Sequence, residues 1–326
     1  MKFSPIDESR LKFGFYPTPI EEMPRLRAML GGPRLFVKHD DYTGPAFGGN
    51  KVRKLEFVLA AAQAEKADAV LTIGTVRSNH ARVTAALAAK LGLECHLILS
   101  GDFPNTPASL WLDNLYGAKI HRVMAREERA STMQRLADEL RAQGRTPYQI
   151  PLGASTPLGA LGYVRAVTAE IAMANIHFDA VFHSTSSGGT QAGLLAGMEM
   201  AGLSTKVVGV SADDCAVEIA ARVAQIVAGI GEALDRIFQP AIEVDAGFVG
   251  EGYGVATPEG NQATELLART EGIVLDPVYT AKAMAALIAR VRQGRFAADQ
   301  NVLFLHTGGQ MALFSADGNK FGERQI

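Results

Sequence analysis

Short apolar, β-branched runs alternate with longer Ala- and Leu-rich stretches of helical period along almost the whole chain. No other feature of the sequence constrains its fold as tightly. The runs at 34–38, 69–73, 95–99, 119–123, 148–150, 179–183, 206–210 and 302–305 read as strands. The intervening segments 52–65, 79–91, 106–116, 127–143, 158–173, 191–201, 216–230, 258–270 and 280–293 read as helices. Strands joined through helices run parallel, so the alternation predicts an α/β fold of parallel sheets with helices on both faces. There is no tandem repeat and no low-complexity linker. The Gly- and Pro-containing stretch 144–159 is the candidate crossing between lobes.

A chain of 326 residues, 48% of them hydrophobic, has room for two lobes and a buried cleft. A net charge of −2 gives no footprint for nucleic acid or an anionic membrane. Cys95 and Cys215 supply neither a disulfide framework nor metal-ligand spacing. The opening MKFSPIDESR lacks the apolar core of a signal peptide, and no apolar run reaches membrane-spanning length. A cytoplasmic enzyme is the natural class; composition alone leaves a binding protein open.

Open α/β sheets bind ligands beyond the carboxyl ends of their strands, and the unusual loops of this chain fall at such places. Arg77-Ser78-Asn79-His80 follows one strand, Ser184–Thr190 a second, and His306-Thr307-Gly308-Gly309 a third. In Ser184-Thr185-Ser186-Ser187-Gly188-Gly189-Thr190, glycines free backbone N–H groups, hydroxyls add donors and a helix start favours an anion, as a phosphate cradle requires. The alternative is an ordinary capping loop. The loop matches neither the nucleotide P-loop nor the dinucleotide fingerprint. Ser78-Asn79-His80 opens a helix able to receive a carboxylate, or is a plain N-cap beside a structural histidine. Tyr253, within Gly250-Glu251-Gly252-Tyr253-Gly254, and Tyr279, within Pro277-Val278-Tyr279-Thr280, have the chemistry for stacking or proton transfer, or are packing residues. Thr307 offers a hydroxyl to a ring nitrogen, or is a turn residue.

Gly48-Gly49-Asn50-Lys51 places a lysine directly after a glycine turn, at a helix start whose partial positive charge disfavours an ammonium. A readily deprotonated amine attacks carbonyls, of which pyridoxal phosphate is the common protein-bound example. A solvated surface lysine is the alternative. Zinc-protease, Cys-x-x-Cys and Gly-x-Ser-x-Gly motifs are absent, so metal catalysis and serine hydrolysis rank low.

Taken together, residues 48–56, 78–82, 159–163, 187–193, 250–254, 276–282 and 306–309 resemble, in order, a fold-type II pyridoxal 5'-phosphate enzyme of the tryptophan-synthase β-like group. More narrowly, they are similar to the D-cysteine desulfhydrase and 1-aminocyclopropane-1-carboxylate (ACC) deaminase family. The resemblance implies two open, twisted, mostly parallel sheets with the cofactor cleft between lobes: a large lobe of 1–56 and 160–326 and an inserted small lobe of 57–159. It also implies a homodimer. By the same resemblance Lys51 bonds the cofactor covalently and removes the Cα proton. Lys54, Ser187, Gly188, Gly189 and Thr190 hold its phosphate, Asn79 meets its 3′-oxygen, and Thr307 faces its ring nitrogen. Ser78, Asn79 and His80 receive the substrate carboxylate, with Tyr253 and Tyr279 lining the leaving-group side.

Ring-opening deaminases typically carry Tyr-Glu and His-Leu-Gly-Gly where this chain has Tyr279-Thr280 and His306-Thr307-Gly308-Gly309. The two threonines, Thr280 among the substrate contacts, point to β-elimination from a small amino acid, D-cysteine first. Three positions depart from the desulfhydrase pattern: Val52 in place of Thr, Arg77 in place of Gln, and Gly153-Ala154-Ser155-Thr156 in place of Gly-Gly-Ser-Asn. Arg77 either points into the pocket, favouring an acidic side chain such as that of L-cysteate, or is solvated. ACC ring opening and a non-catalytic cofactor- or amino-acid-binding protein are the further alternatives.

Overall fold

The strands sort into two sheets according to where the chain can bury apolar residues on both faces. A computed structural model describes residues 6, 9–101 and 108–314. Six strands form one sheet in the order β1-β2-β10-β7-β8-β9: β1 (Ile20–Glu22), β2 (Arg34–His39), β10 (Asn301–His306), β7 (Ala180–Thr185), β8 (Lys206–Ser211) and β9 (Glu243–Asp245). Only the edge pair β1–β2 is antiparallel. Four parallel strands form the other in the order β5-β4-β3-β6: β5 (Lys119–Val123), β4 (Glu94–Ser100), β3 (Ala69–Thr75) and β6 (Pro147–Ile150).

Strands covered on both faces are apolar on both, and the alternation of side chains shows which helices do the covering. On the six-stranded sheet Phe36, Val181, Val207 and Leu303 face α6 (Pro157–Ala166), α7 (Gly189–Ala201) and α8 (Ala216–Leu234). Their neighbours Leu35, Phe182, Val208 and Phe304 face α1 (Pro24–Leu30), α9 (Pro258–Glu271) and α10 (Thr280–Arg292). On the four-stranded sheet Val70, Leu97 and Ile150 pack with α2 (Asn50–Ala64), α3 (Asn79–Leu91) and α4 (Ala108–Leu115). Leu71, Ile98 and Val123 pack with α5 (Glu128–Ala142).

Helix ends fall where local chemistry places them. Ser78, Thr156 and Thr257 cap α3, α6 and α9 by accepting a backbone N–H, and left-handed Gly92 and Gly272 close α3 and α9. The helix read at 158–173 stops as α-helix at Ala166 and continues as a π-turn over Val167–Ile171. Of the helix read at 106–116, residues 106 and 107 lie outside the described residues. Among the strands and α-helices of the described residues, β1, α1 and β9 escaped the sequence reading, each short. Among the described residues no helix is long and apolar enough to cross a membrane.

Candidate active site

The carboxyl ends of β3, β4, β7, β8 and β10 open on one cavity, bordered by Thr75, Ser100, Ser184, Asp213 and Thr307 from these ends or just beyond them. Lys51, Lys54, Ser78, Asn79, His80, Ser187, Gly188, Thr190, Tyr253, Tyr279 and Thr307 also line it, so most of the residues singled out in the sequence converge.

The turn before α2 brings Lys51 to this cavity. Gly49 adopts φ +102°, and a methyl there would stand 2.9 Å from the Thr307 carbonyl oxygen. Only glycine allows both the dihedral and the approach. The helix start is then tied to two other walls: the Asn50 N–H donates to the Thr307 carbonyl at 3.1 Å, and Asn50 Nδ2 donates to Thr190 Oγ1 at 3.0 Å. Burial lowers the Lys51 amine to about 8. The sequence argument had rested on the charge of the helix start; loss of water is the cause in the structure.

Lys54, one turn on, is buried, and burial followed by the charge of Lys51 pushes its amine far below the usual lysine range. Its Nζ donates to Ser155 Oγ at 3.0 Å and to the Gly153 carbonyl at 3.4 Å. Ser155 Oγ in turn lies 2.7 Å from Ser187 Oγ. Gly188 is left-handed, and α7 begins at Gly189 with no side-chain cap, so its first N–H groups are free for a ligand. A methyl on Gly189 would stand 2.7 Å from Ser155 Oγ. Gly189 therefore shapes the cradle from behind by letting the 153–155 turn approach, without lining the cavity. A buried amine that donates hydrogen bonds, three hydroxyls and a bare helix N-terminus fit a phosphate.

Across the cavity, Ser78 Oγ accepts the Ala81 N–H at 3.2 Å, which leaves its hydroxyl proton for a ligand. Asn79 Oδ1 accepts from Arg82 Nη1 at 2.6 Å, so its Nδ2 is the end left to donate. The Thr72 hydroxyl donates to the Ile150 carbonyl and lies 2.8 Å from His80 Nε2, so that nitrogen carries the imidazole proton. Burial, with the nearby Lys51 and Lys54, keeps His80 neutral, and its buried Nδ1 has no partner among the described residues. The hydroxyls of Tyr253 and Tyr279 meet at 2.6 Å, and burial raises both, so both are protonated at neutral pH. Thr307 Oγ1 lies 3.1 Å from Ser184 Oγ.

Two expected substrate contacts do not reach the cavity. Arg77 precedes the extended cap residue Ser78, and side chains alternate along extended backbone, so Ser78 faces in and Arg77 does not line the site. Thr280 is fully buried; its hydroxyl donates to Asp276 Oδ1 at 2.7 Å and accepts the Asp276 N–H at 2.8 Å. Its polar capacity is spent on the start of α10. Conversely, Thr75, Ser100, Arg126, Arg129 and Asp213 line the cavity unanticipated. Each follows or ends a strand at its carboxyl side, the signal that had located the other loops.

A model of the pyridoxal-phosphate dependent enzyme family matches residues 11–308. The solved structure of an ACC deaminase homologue superimposes with a TM-score of 0.89 at 34% identity, covering 94% of this chain and 93% of that one. O-ureido-L-serine synthase (TM-score 0.70, 16% identity, 99% and 97% covered) shares the fold. So does the processed form of threonine deaminase isoform 2 from Solanum lycopersicum (0.67, 15%, 94% and 81%).

Proposed function

The chain belongs to the pyridoxal-phosphate dependent enzymes, and from that premise we propose that it catalyses α,β-elimination on a small amino acid. D-Cysteine is the leading substrate, yielding, with one water consumed, pyruvate, ammonia and hydrogen sulfide. What supports this reading most is that Lys51, its amine lowered to about 8, lines one cavity with Lys54, Ser187 and Thr190, with the helix start at Ser78-Asn79, and with the paired hydroxyls of Tyr253 and Tyr279.

Pyridoxal phosphate, when bound, supplies a ring that withdraws electrons from Cα. The remaining work falls to the side chains. Lys54, Ser187, Thr190 and the first N–H groups of α7 hold the phosphate. Ser78 and Asn79, with the first turn of α3, hold the substrate carboxylate and so fix which Cα bond faces Lys51, which removes the proton. Tyr279, hydrogen-bonded to Tyr253, gives a proton to the departing β-group. Thr307 would offer the ring nitrogen a neutral hydroxyl rather than an acidic partner, which would suit elimination over transamination. The enzyme is read as a cytoplasmic homodimer, its large lobe 1–56 with 160–326 and its small lobe 57–159.

A panel of D- and L-amino acids, followed by release of 2-oxo acid, tests the reading. D-Cysteine should give sulfide and pyruvate in equal amounts, and Lys51→Ala should abolish both. Sulfite from L-cysteate or 2-oxobutyrate from ACC as the faster product would replace D-cysteine. No turnover on any member, or full activity in Lys51→Ala, would sink the elimination itself.

A further inference from the structure

Arg129, in the first turn of α5, lines the cavity with its side chain only 5% exposed. Its Nε donates to the Arg126 carbonyl at 3.0 Å. No carboxylate lies within ion-pair distance of it among the described residues. A guanidinium does not shed its proton in proteins, so burial leaves a cation without an ion-paired carboxylate at the cavity wall. Burial and then the neighbouring Arg126 lower its proton affinity, against a smaller opposing pull from nearby Glu127.

The one acidic group in the same lining is already committed. Asp213 Oδ2 accepts the Ser186 hydroxyl at 2.8 Å and Oδ1 accepts the Asp214 N–H at 2.9 Å. Arg126, also lining the cavity, stands 3.6 Å from Asp214, which is held more closely by Arg222 at 2.6 Å. Tyr253, on the proposed leaving-group side, lines the same cavity. The cationic wall thus belongs to the β5–α5 loop, whereas the phosphate cradle belongs to the β7–α7 loop.

We infer that Arg129, flanked by Arg126, receives a negatively charged side-chain group of the substrate. The amino acids this cavity prefers, over uncharged ones that it still admits, then carry a second anion beyond the α-carboxylate: a sulfonate, sulfinate or carboxylate, or a thiol bound as thiolate. This rests on the reading above, in which Ser78 and Asn79 take the α-carboxylate. A free thiol titrates near 8.5, about a unit and a half above neutrality, so fixed anions satisfy Arg129 more fully than cysteine does.

Aspartate and asparagine differ in that charge and hardly in shape, so calorimetric titration of the holoenzyme with both enantiomers of each isolates the subsite. The tighter aspartate enantiomer should bind at least about tenfold more strongly than the matching asparagine. Arg129→Gln should bring the ratio to within about twofold, and Arg129→Lys should keep part of it. Equal binding in the wild type, no binding by either ligand, or a preference that survives Arg129→Gln would overturn the inference. So would weakened cofactor retention with an unchanged ratio, which assigns the guanidinium to the phosphate. β-Chloroalanine, whose leaving group is uncharged before reaction, separates the two readings. Absence of pyruvate from either enantiomer with the aspartate preference intact defeats elimination alone. Pyruvate release without that preference defeats the anion subsite alone.

Discussion

Lys51 titrates near 8 because water is kept from it, and this makes its reactivity a pH-dependent observable. At pH 7 about a tenth of the amine is neutral, against well under a thousandth for a lysine at 10.4. Apoprotein mixed with pyridoxal phosphate should therefore bond the cofactor at a rate that rises with pH and levels off just above 8; a rise continuing beyond 10 would contradict the burial argument. Asn79 depends on a residue further back. Arg82 Nη1 holds its Oδ1, and Arg82 is anchored in turn by the Ala46 carbonyl at 3.1 Å. Arg82 is a positioning residue, so Arg82→Leu should weaken cofactor affinity about tenfold, measured by equilibrium dialysis. Adding Asn79→Leu to it should cost little more; additive losses would reduce Arg82 to a packing role. Lys51 and Asn79 were legible in the sequence because glycine turns and helix caps are local chemistry. Arg129 was not, because burial without a counter-charge is a property of the assembled wall. Thr280 misled for the mirror reason: its neighbour Asp276, four residues back, had claimed the hydroxyl.

Two elements fix the cavity's shape, and both are held by buried polar groups. At the start of α10, Asp276 accepts the N–H groups of Val278, Tyr279 and Thr280, each at 2.9 Å. Thr280→Val removes one hydroxyl from this knot and should cost about 1–3 kcal/mol, seen as a lowered Tm, with substrate KM unmoved. A rise in KM without a fall in Tm would return Thr280 to the substrate contacts. Beneath α2, Arg53 lies between Asp40 and Glu170, with Nε 2.7 Å from Asp40 and Nη1 2.6 Å from Glu170; Tyr163 also donates to Asp40 at 2.6 Å. Burial opposes the Asp40 charge, yet Arg53, then Lys38 and Tyr163, hold it at about 2. Because this pKa is depressed, its stabilisation is complete above about pH 4 and is lost as pH falls towards 2. Arg53→Met leaves buried carboxylates short of a partner and should cost about 3–5 kcal/mol, moving the acid-unfolding midpoint upward. Strands and helices with strong periodicity were legible to within a few residues. β1 and β9, three residues each, carry too short a pattern to register, and Arg53 gave no hint of its burial because it sits among lysines in an apparently polar turn.

At the scale of the molecule, an apolar surface is left over beside the site. Phe47 is 57% exposed on the turn before α2, Trp111 58% and Leu115 64% on α4, and Phe314 73% on the last described turn. The elements adjoin: the 45–47 turn touches α3, α3 touches α4, and α4 touches the 310–314 turn. Single exposed hydrophobics are ordinary, but a run of aromatic groups on neighbouring elements is what a second subunit covers. If the proposed homodimer forms through this surface, it would bear on function, since α3 carries Ser78 and Asn79 and Phe47 directly precedes the Gly48-Gly49 turn. Trp111 is the chain's one tryptophan, so its fluorescence reports that surface alone. A dimer by light scattering at micromolar concentration, with blue-shifted emission that moves red on dilution, is expected. Trp111→Asp with Leu115→Asp should yield a folded monomer by circular dichroism that retains the cofactor less well, because the wall holding Asn79 loses its cover. A wild-type monomer with the emission of an exposed indole, or a charged variant that still dimerises, would remove this surface from the assembly and leave the site complete within one chain.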